Sequence, residues 1–83
     1  MAESDIVFRI TNSLQNDIIL HLEPWGQQYN MPAGGMFKVE AKGPDNDVLE
    51  LEYHEGKLVL YGWPGSVVMI SNDEGEQKPE VEK

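Results

Sequence analysis

The sequence predicts an all-β domain, a small antiparallel β-sandwich of about six to seven strands, a count usual for such folds. Three observations predict it. Segments of strict period-two alternation recur along the chain, and period two is the signature of a half-buried strand. Pro- and Gly-bearing corners separate them at short, regular intervals. No uninterrupted apolar run exceeds four residues, far too short for a membrane span.

The first element is Asp5 to Thr11. Ile6, Phe8 and Ile10 share one face, and Val7, Arg9 and Thr11 the other. The segment Asn12 to Leu22 reads in two ways. As a helix it gathers Leu14, Ile18, Ile19 and Leu22 on one face, with Asn12 and Gln15 as a capping box. As a strand, Asp17 to Glu23 points Ile18, Leu20 and Leu22 inward, after a hairpin loop bracketed by Asn12-Ser13 and Asn16-Asp17. The strand is preferred, because β-branched Ile18-Ile19 suits a sheet. Pro24 ends either element by forcing Glu23 towards extended backbone.

A shorter strand, Gln27 to Met31, leads to Met31-Pro32-Ala33-Gly34, which suits a type I turn. Met36 to Lys42 alternates most sharply, with Phe37, Val39 and Ala41 inward. Asp47 to His54 sets Leu49, Leu51 and Tyr53 against Glu50, Glu52 and His54. Glu55-Gly56 is expected to close a tight connection as a type I turn with Gly56 in a bulge. Strands Lys57 to Gly62 and Ser66 to Ser71 flank Trp63-Pro64-Gly65-Ser66, which suits a type II turn. The domain is therefore read as residues 1–71. Residues 72–83 are read as an acidic, frayed tail, rich in Glu and with Val81 as its only strongly apolar residue.

Composition excludes several functions. The chain has 83 residues and no cysteine. Disulfides, thiol catalysis, thiolate zinc sites and blue copper are thus ruled out, and a cytoplasmic location is expected. Met1-Ala2-Glu3-Ser4-Asp5 lacks the basic and apolar pattern of a secretion signal. Fifteen acids against six bases give a net charge of −9, which repels phosphate backbones. Neither nucleic acid nor a membrane is expected as a partner.

No catalytic residue, metal or cofactor is assigned. His54-Glu55 opens like a zinc-protease motif, but Leu58 stands where the second histidine belongs. His21 and His54 have no third ligand in view. Glu50 and Glu52 project from one strand face roughly 6.5–7 Å apart, a spacing compatible with a glycosidase pair. Nothing near them in sequence would raise one carboxyl's pKa, so they read as a solvated face. Gly65-Ser66 is not a nucleophile elbow. Asp45-Asn46-Asp47 begins like a calcium loop but lacks its Gly and closing Glu.

The aromatic residues are the more informative candidates. Trp25 and Trp63 both stand beside Pro and Gly at strand ends. With Tyr29 they would form an aromatic platform, Glu23 serving as hydrogen-bond acceptor. The alternative is that the rings fill the ends of a small core. A second candidate surface comes from strands apolar on both sides. If Leu20, Leu58, Leu60, Val67 and Met69 point inward, Ile19, Val59, Tyr61, Val68 and Ile70 lie on the other side. Either that inward set is wrong, or the sheet closes into a barrel, or a second copy of the chain covers Val59, Tyr61, Val68 and Ile70.

Glu23-Pro24-Trp25-Gly26, Met31-Pro32-Ala33-Gly34-Gly35-Met36-Phe37-Lys38-Val39 and Gly62-Trp63-Pro64-Gly65-Ser66-Val67-Val68 together resemble a group of very small, uncharacterised bacterial all-β proteins. The Pro-x-Gly turn before an alternating strand also resembles cupredoxin-like and immunoglobulin-like sandwiches. The resemblance implies a fold and no activity. Cupredoxin copper chemistry does not carry over, since the ligand cysteine is missing. The expected function is a non-catalytic binding or protein-interaction module. Its alternative is carbohydrate or small-ligand binding through Trp25, Tyr29 and Trp63.

Overall fold

The computed structural model describes residues 3–44 and 48–80. Among them are eight strands: β1 (Glu3–Thr11), β2 (Ile18–Glu23), β3 (Gln27–Met31), β4 (Met36–Pro44), β5 (Glu50–His54), β6 (Lys57–Tyr61), β7 (Val67–Asn72) and β8 (Gly75–Glu76). They form two four-stranded sheets, ordered β1-β4-β7-β8 and β3-β2-β6-β5, packed as a β-sandwich. The all-β expectation holds, with more strands than the sequence suggested. Asp45-Asn46-Asp47 and Val81 lie outside the described residues.

Alternation builds the longest ladder. β1 and β4 pair antiparallel from Glu3↔Pro44 to Thr11↔Met36. Phe37, Val39 and Ala41 are buried while Lys38 and Lys42 face water. In the other sheet Ile18, Leu20 and Leu22 point inward beside Tyr29, Met31, Leu58 and Leu60. Burial of this set is the main apolar contribution to stability. Tyr29 and Phe37 cross the gap between the sheets edge-to-face, with ring centroids 6.3 Å apart.

Three features of topology differ from the sequence reading. The sandwich is not wholly antiparallel: β2 and β6 run parallel, Ile19 opposite Lys57 and Glu23 opposite Tyr61. The Asn12–Asp17 loop is no hairpin, because β1 and β2 belong to different sheets. Asn12 fixes this crossover; its Nδ2 donates to the carbonyls of Asn16, Met31 and Pro32, and its Oδ1 accepts from the Leu14 amide. The chain beyond Ser71 is not a frayed tail as far as it is described. It completes β7, adds β8, and donates from Gln77 N to Ile70 O and from Glu80 N to Gln28 O.

Two turns also differ. The first β-turn bond runs from Gly35 N to Pro32 O, one residue later than expected, and Gly34 at φ 75° makes it type II. Glu55 (φ 44°) and Gly56 (φ 82°) are both left-handed, the type I′ pattern that matches the twist of the β5–β6 hairpin. The Trp63–Ser66 corner is type II as expected, closed by Ser66 N to Trp63 O at 2.9 Å with Gly65 at φ 85°.

One inward set differs from the expectation. On β7, Val68 and Ile70 face the core, Ile70 only 1% exposed, while Val67 and Met69 face solvent. On β5 the expected face is kept, Leu51 opposite Leu60 and Tyr53 opposite Leu58, but β5 is an edge strand and both side chains remain exposed. No helix occurs among the described residues, so none is long and apolar enough to cross a membrane.

Candidate functional site

The expected aromatic platform does not exist as a surface. Trp63 is 4% exposed, and its Nε1 donates to the Pro44 carbonyl. Tyr29 is 6% exposed and packs on Phe37. Only Trp25 stays half-open, lying over Gly62 and lining a groove of about 340 Å³ with Pro24, Tyr61 and Pro64. Glu23 is not a free acceptor there, since its Oε1 takes the Gly26 amide at 3.2 Å. A small domain needs its large rings for the core, and two of these three serve it.

The four-residue dimer surface fails for a different reason. Val59 and Tyr61 lie on β6 and Val68 and Ile70 on β7, in separate sheets. Val68 and Ile70 point inward, so the four side chains share no face.

The structure instead assembles a site that the sequence scattered. Parallel pairing sets His21 beside Val59 and Glu23 beside Tyr61. The β5–β6 hairpin sets Glu52 beside Val59, Glu50 beside Tyr61 and His54 beside Lys57. Three cross-strand rows therefore lie on the outer face of β3-β2-β6-β5: Ile19–Lys57–His54, His21–Val59–Glu52 and Glu23–Tyr61–Glu50. Residues directly opposite on one face are near enough to interact. Val59 is only 7% exposed although no third layer covers it. Around it opens a shallow groove of about 540 Å³ lined by His21, Glu23, His54, Lys57, Val59 and Tyr61.

No protein-family profile, curated protein or solved structure matches this chain. The chemistry of the groove must be read from its own atoms.

Tyr61 is its centre. The Tyr61 hydroxyl donates to Glu52 Oε1 at 3.1 Å. His54 Nε2 lies 4.0 Å from the same oxygen. The Tyr61 pKa is raised, first by the hydrogen bond to Glu52, then by desolvation and by the negative charges of Glu52, Glu50 and Glu23. Three carboxylates thus impose a negative potential on one aromatic ring. No serine, threonine or cysteine lines the groove. Among the described residues no three His, Asp or Glu side chains converge as a metal would require.

Each member was visible in the sequence under another heading. Glu23 stood as a platform acceptor, Glu50 and Glu52 as a carboxylate pair, Tyr61 as a dimer contact, and the histidines as ligands without partners. What joins them is the β2–β6 pairing, which no local pattern announces. The available signal was parity. His21 and Glu23 alternate with buried leucines, as do Val59 and Tyr61, so each pair had to share an outer face.

Proposed function

We propose that the protein is a non-catalytic binding module that takes a cationic segment of a partner protein on the outer face of β3-β2-β6-β5. The observation that carries this reading is the convergence of Glu23, Glu50 and Glu52 on Tyr61. An aromatic ring within a negative field suits an Arg or Lys side chain, through cation–π attraction and charge-assisted hydrogen bonds. The net charge of −9 steers such a partner in and turns nucleic acid away. The groove offers no serine, threonine or cysteine to act as an acyl-transfer nucleophile, which supports a binding role. The lack of cysteine supports a cytoplasmic setting.

The test is titration with an Arg/Lys-rich peptide and with a Glu-rich peptide of equal length. Only the cationic peptide is expected to bind, less tightly as salt rises. Glu50→Gln with Glu52→Gln should weaken it about tenfold, and Tyr61→Ala more. Equal binding of the cationic peptide by the parent and by the double Gln variant would sink the proposal.

A further inference from the structure

β1 is an unpaired edge of the first sheet, and nine residues long. Its backbone polarity follows from its end. Asn12 N donates to Gly35 O, and Gly34 N donates to Asn12 O, so Asn12 turns both backbone groups towards β4. Residues of a strand alternate in this respect. The even residues of β1 therefore bond to β4, and Asp5, Val7, Arg9 and Thr11 aim N–H and C=O at open solvent. Such an edge is a template for another strand unless something blocks it.

Charges are the usual block, and among the described side chains of β1 two lie on its outer face, Asp5 and Arg9. Their spacing does not block; it selects. In an antiparallel β1–β1 pair centred on Val7, Asp5 of each copy lies opposite Arg9 of the other. Centring on Asp5 or on Arg9 instead would oppose like charges. The Val7-centred register also makes every outward-aimed residue part of a doubly hydrogen-bonded pair. Arg9 stands opposite Lys38 on β4, cation beside cation, and makes no ion pair among the described residues. Glu40 already pairs with Lys38 at 3.9 Å, and the second copy's Asp5 would supply a carboxylate to Arg9.

The apolar surface along this edge fits the same partner. Val7 is 54% exposed at the centre of the strand. Phe8 and Ile10, on its inner face, are only partly buried. An apolar groove of about 370 Å³ runs from Ile10 and Leu14 to Leu51 and Tyr53, so the edges β1 and β5 open on the same side. Leu14, Leu51 and Tyr53 are 52%, 46% and 60% exposed. In the Val7-centred register Ile6 meets Phe8 of the other copy, and the two β5 edges come together on the same side.

We infer that the protein forms a symmetric homodimer by antiparallel pairing of β1 with β1 of a second copy, centred on Val7. The two outer sheets merge into one of order β8-β7-β4-β1-β1-β4-β7-β8. The interface is isologous, as a two-fold axis requires. It is independent of the cationic-segment groove, which it leaves open on each copy.

Sedimentation and light scattering on the full chain test it, with circular dichroism to verify folding. The expected mass is twice that of the chain, falling to one chain on dilution. Arg9→Glu places Glu opposite Asp5 and should weaken association at least about tenfold. Asp5→Arg combined with Arg9→Asp should restore it, because the pairs reform reversed. Val7→Cys should cross-link to a disulfide dimer under mild oxidation, since directly opposed residues of a hydrogen-bonded pair sit about 5.5 Å apart at Cα, within disulfide reach. Met69→Cys, on the same face but away from the edge, should not. A single-chain mass at every concentration overturns the inference. So does a dimer that Arg9→Glu leaves intact and Val7→Cys fails to cross-link.

Discussion

The indole Nε1 of Trp63 donates to the carbonyl of Pro44 at 2.9 Å, tying the corner before β7 to the end of β4. Trp63→Phe keeps most of the ring but leaves that carbonyl without its donor. The expected loss is about 1–2 kcal/mol. Trp63→Ala adds a cavity and should cost about 3–5 kcal/mol. Urea unfolding of both variants checks the ordering, and equal losses would mean the hydrogen bond contributes most of the effect.

Gly43 sits under the same corner. A β-carbon there would fall 2.8 Å from Ser66 Cα and 3.1 Å from Trp63 Nε1. Backbone cannot swing aside as a side-chain tip can. Gly43→Ala is therefore expected to destabilise by about 1–3 kcal/mol through overpacking, despite the better strand propensity of Ala over Gly. Thermal unfolding measures it; an unchanged or raised midpoint would contradict the packing described here.

Asn12 is 2% exposed and feeds three carbonyls from one amide nitrogen. Asn12→Ala removes that donor from the Asn16 and Met31 carbonyls, while Pro32 O keeps the Gly35 amide, and should cost about 2 kcal/mol. Asn12→Asp should be worse at neutral pH, because a carboxylate would face those oxygens. The native state then favours the protonated acid, so its pKa rises above the unfolded value. The variant's stability is retained below about pH 4, the unfolded aspartate range, and is lost as pH climbs through the raised native pKa. Urea midpoints across acid pH should show this slope in Asn12→Asp and not in Asn12→Ala.

Glu55 holds φ at 44°, a conformation costly for a side chain of its kind. Asn adopts it far more readily and suits the first position of a type I′ hairpin. Glu55→Asn is expected to stabilise by roughly 0.5 kcal/mol. A loss on that substitution would show that the Glu55 side chain makes a compensating contact.

Tyr61 ionises above the ordinary tyrosine range, with Glu52 the first cause. A raised native pKa means that any stabilisation linked to it is present below the unfolded tyrosine value. It is lost as pH rises through the native one. Glu52→Gln should bring the Tyr61 midpoint down towards the ordinary value. Alkaline difference absorbance, with Tyr61→Phe to identify the signal, reads it. No downward movement would remove Glu52 as the cause.

How far the sequence reached depended on whether a strand has one wet face. In β4, lysines alternate with Phe37, Val39 and Ala41, and the inward set is unmistakable. In β7, Val67 to Ile70 is apolar at every position, so pattern alone could not choose between Val67–Met69 and Val68–Ile70. In β5 the alternation is real and sets the inner face, but the pattern does not reveal that β5 is an edge, where Leu51 and Tyr53 stay exposed. Trp63 and Tyr29 looked like surface candidates because burial of a ring depends on distant residues, Pro44 and Phe37. The groove around Tyr61 was least legible of all, since it exists only once β2 and β6 lie side by side.

That parallel pairing has a kinetic consequence. Hairpins β2–β3 and β5–β6 can each zip from a short turn, but joining them requires Ile19 to find Lys57 across all the intervening chain. The β1–β4 ladder spans a comparable stretch. Closing such loops loses entropy before any contact rewards it. The chain should therefore collapse slowly for its size, on the millisecond-to-second scale of non-local β topologies. Its transition state should resemble the meeting of two preformed hairpins.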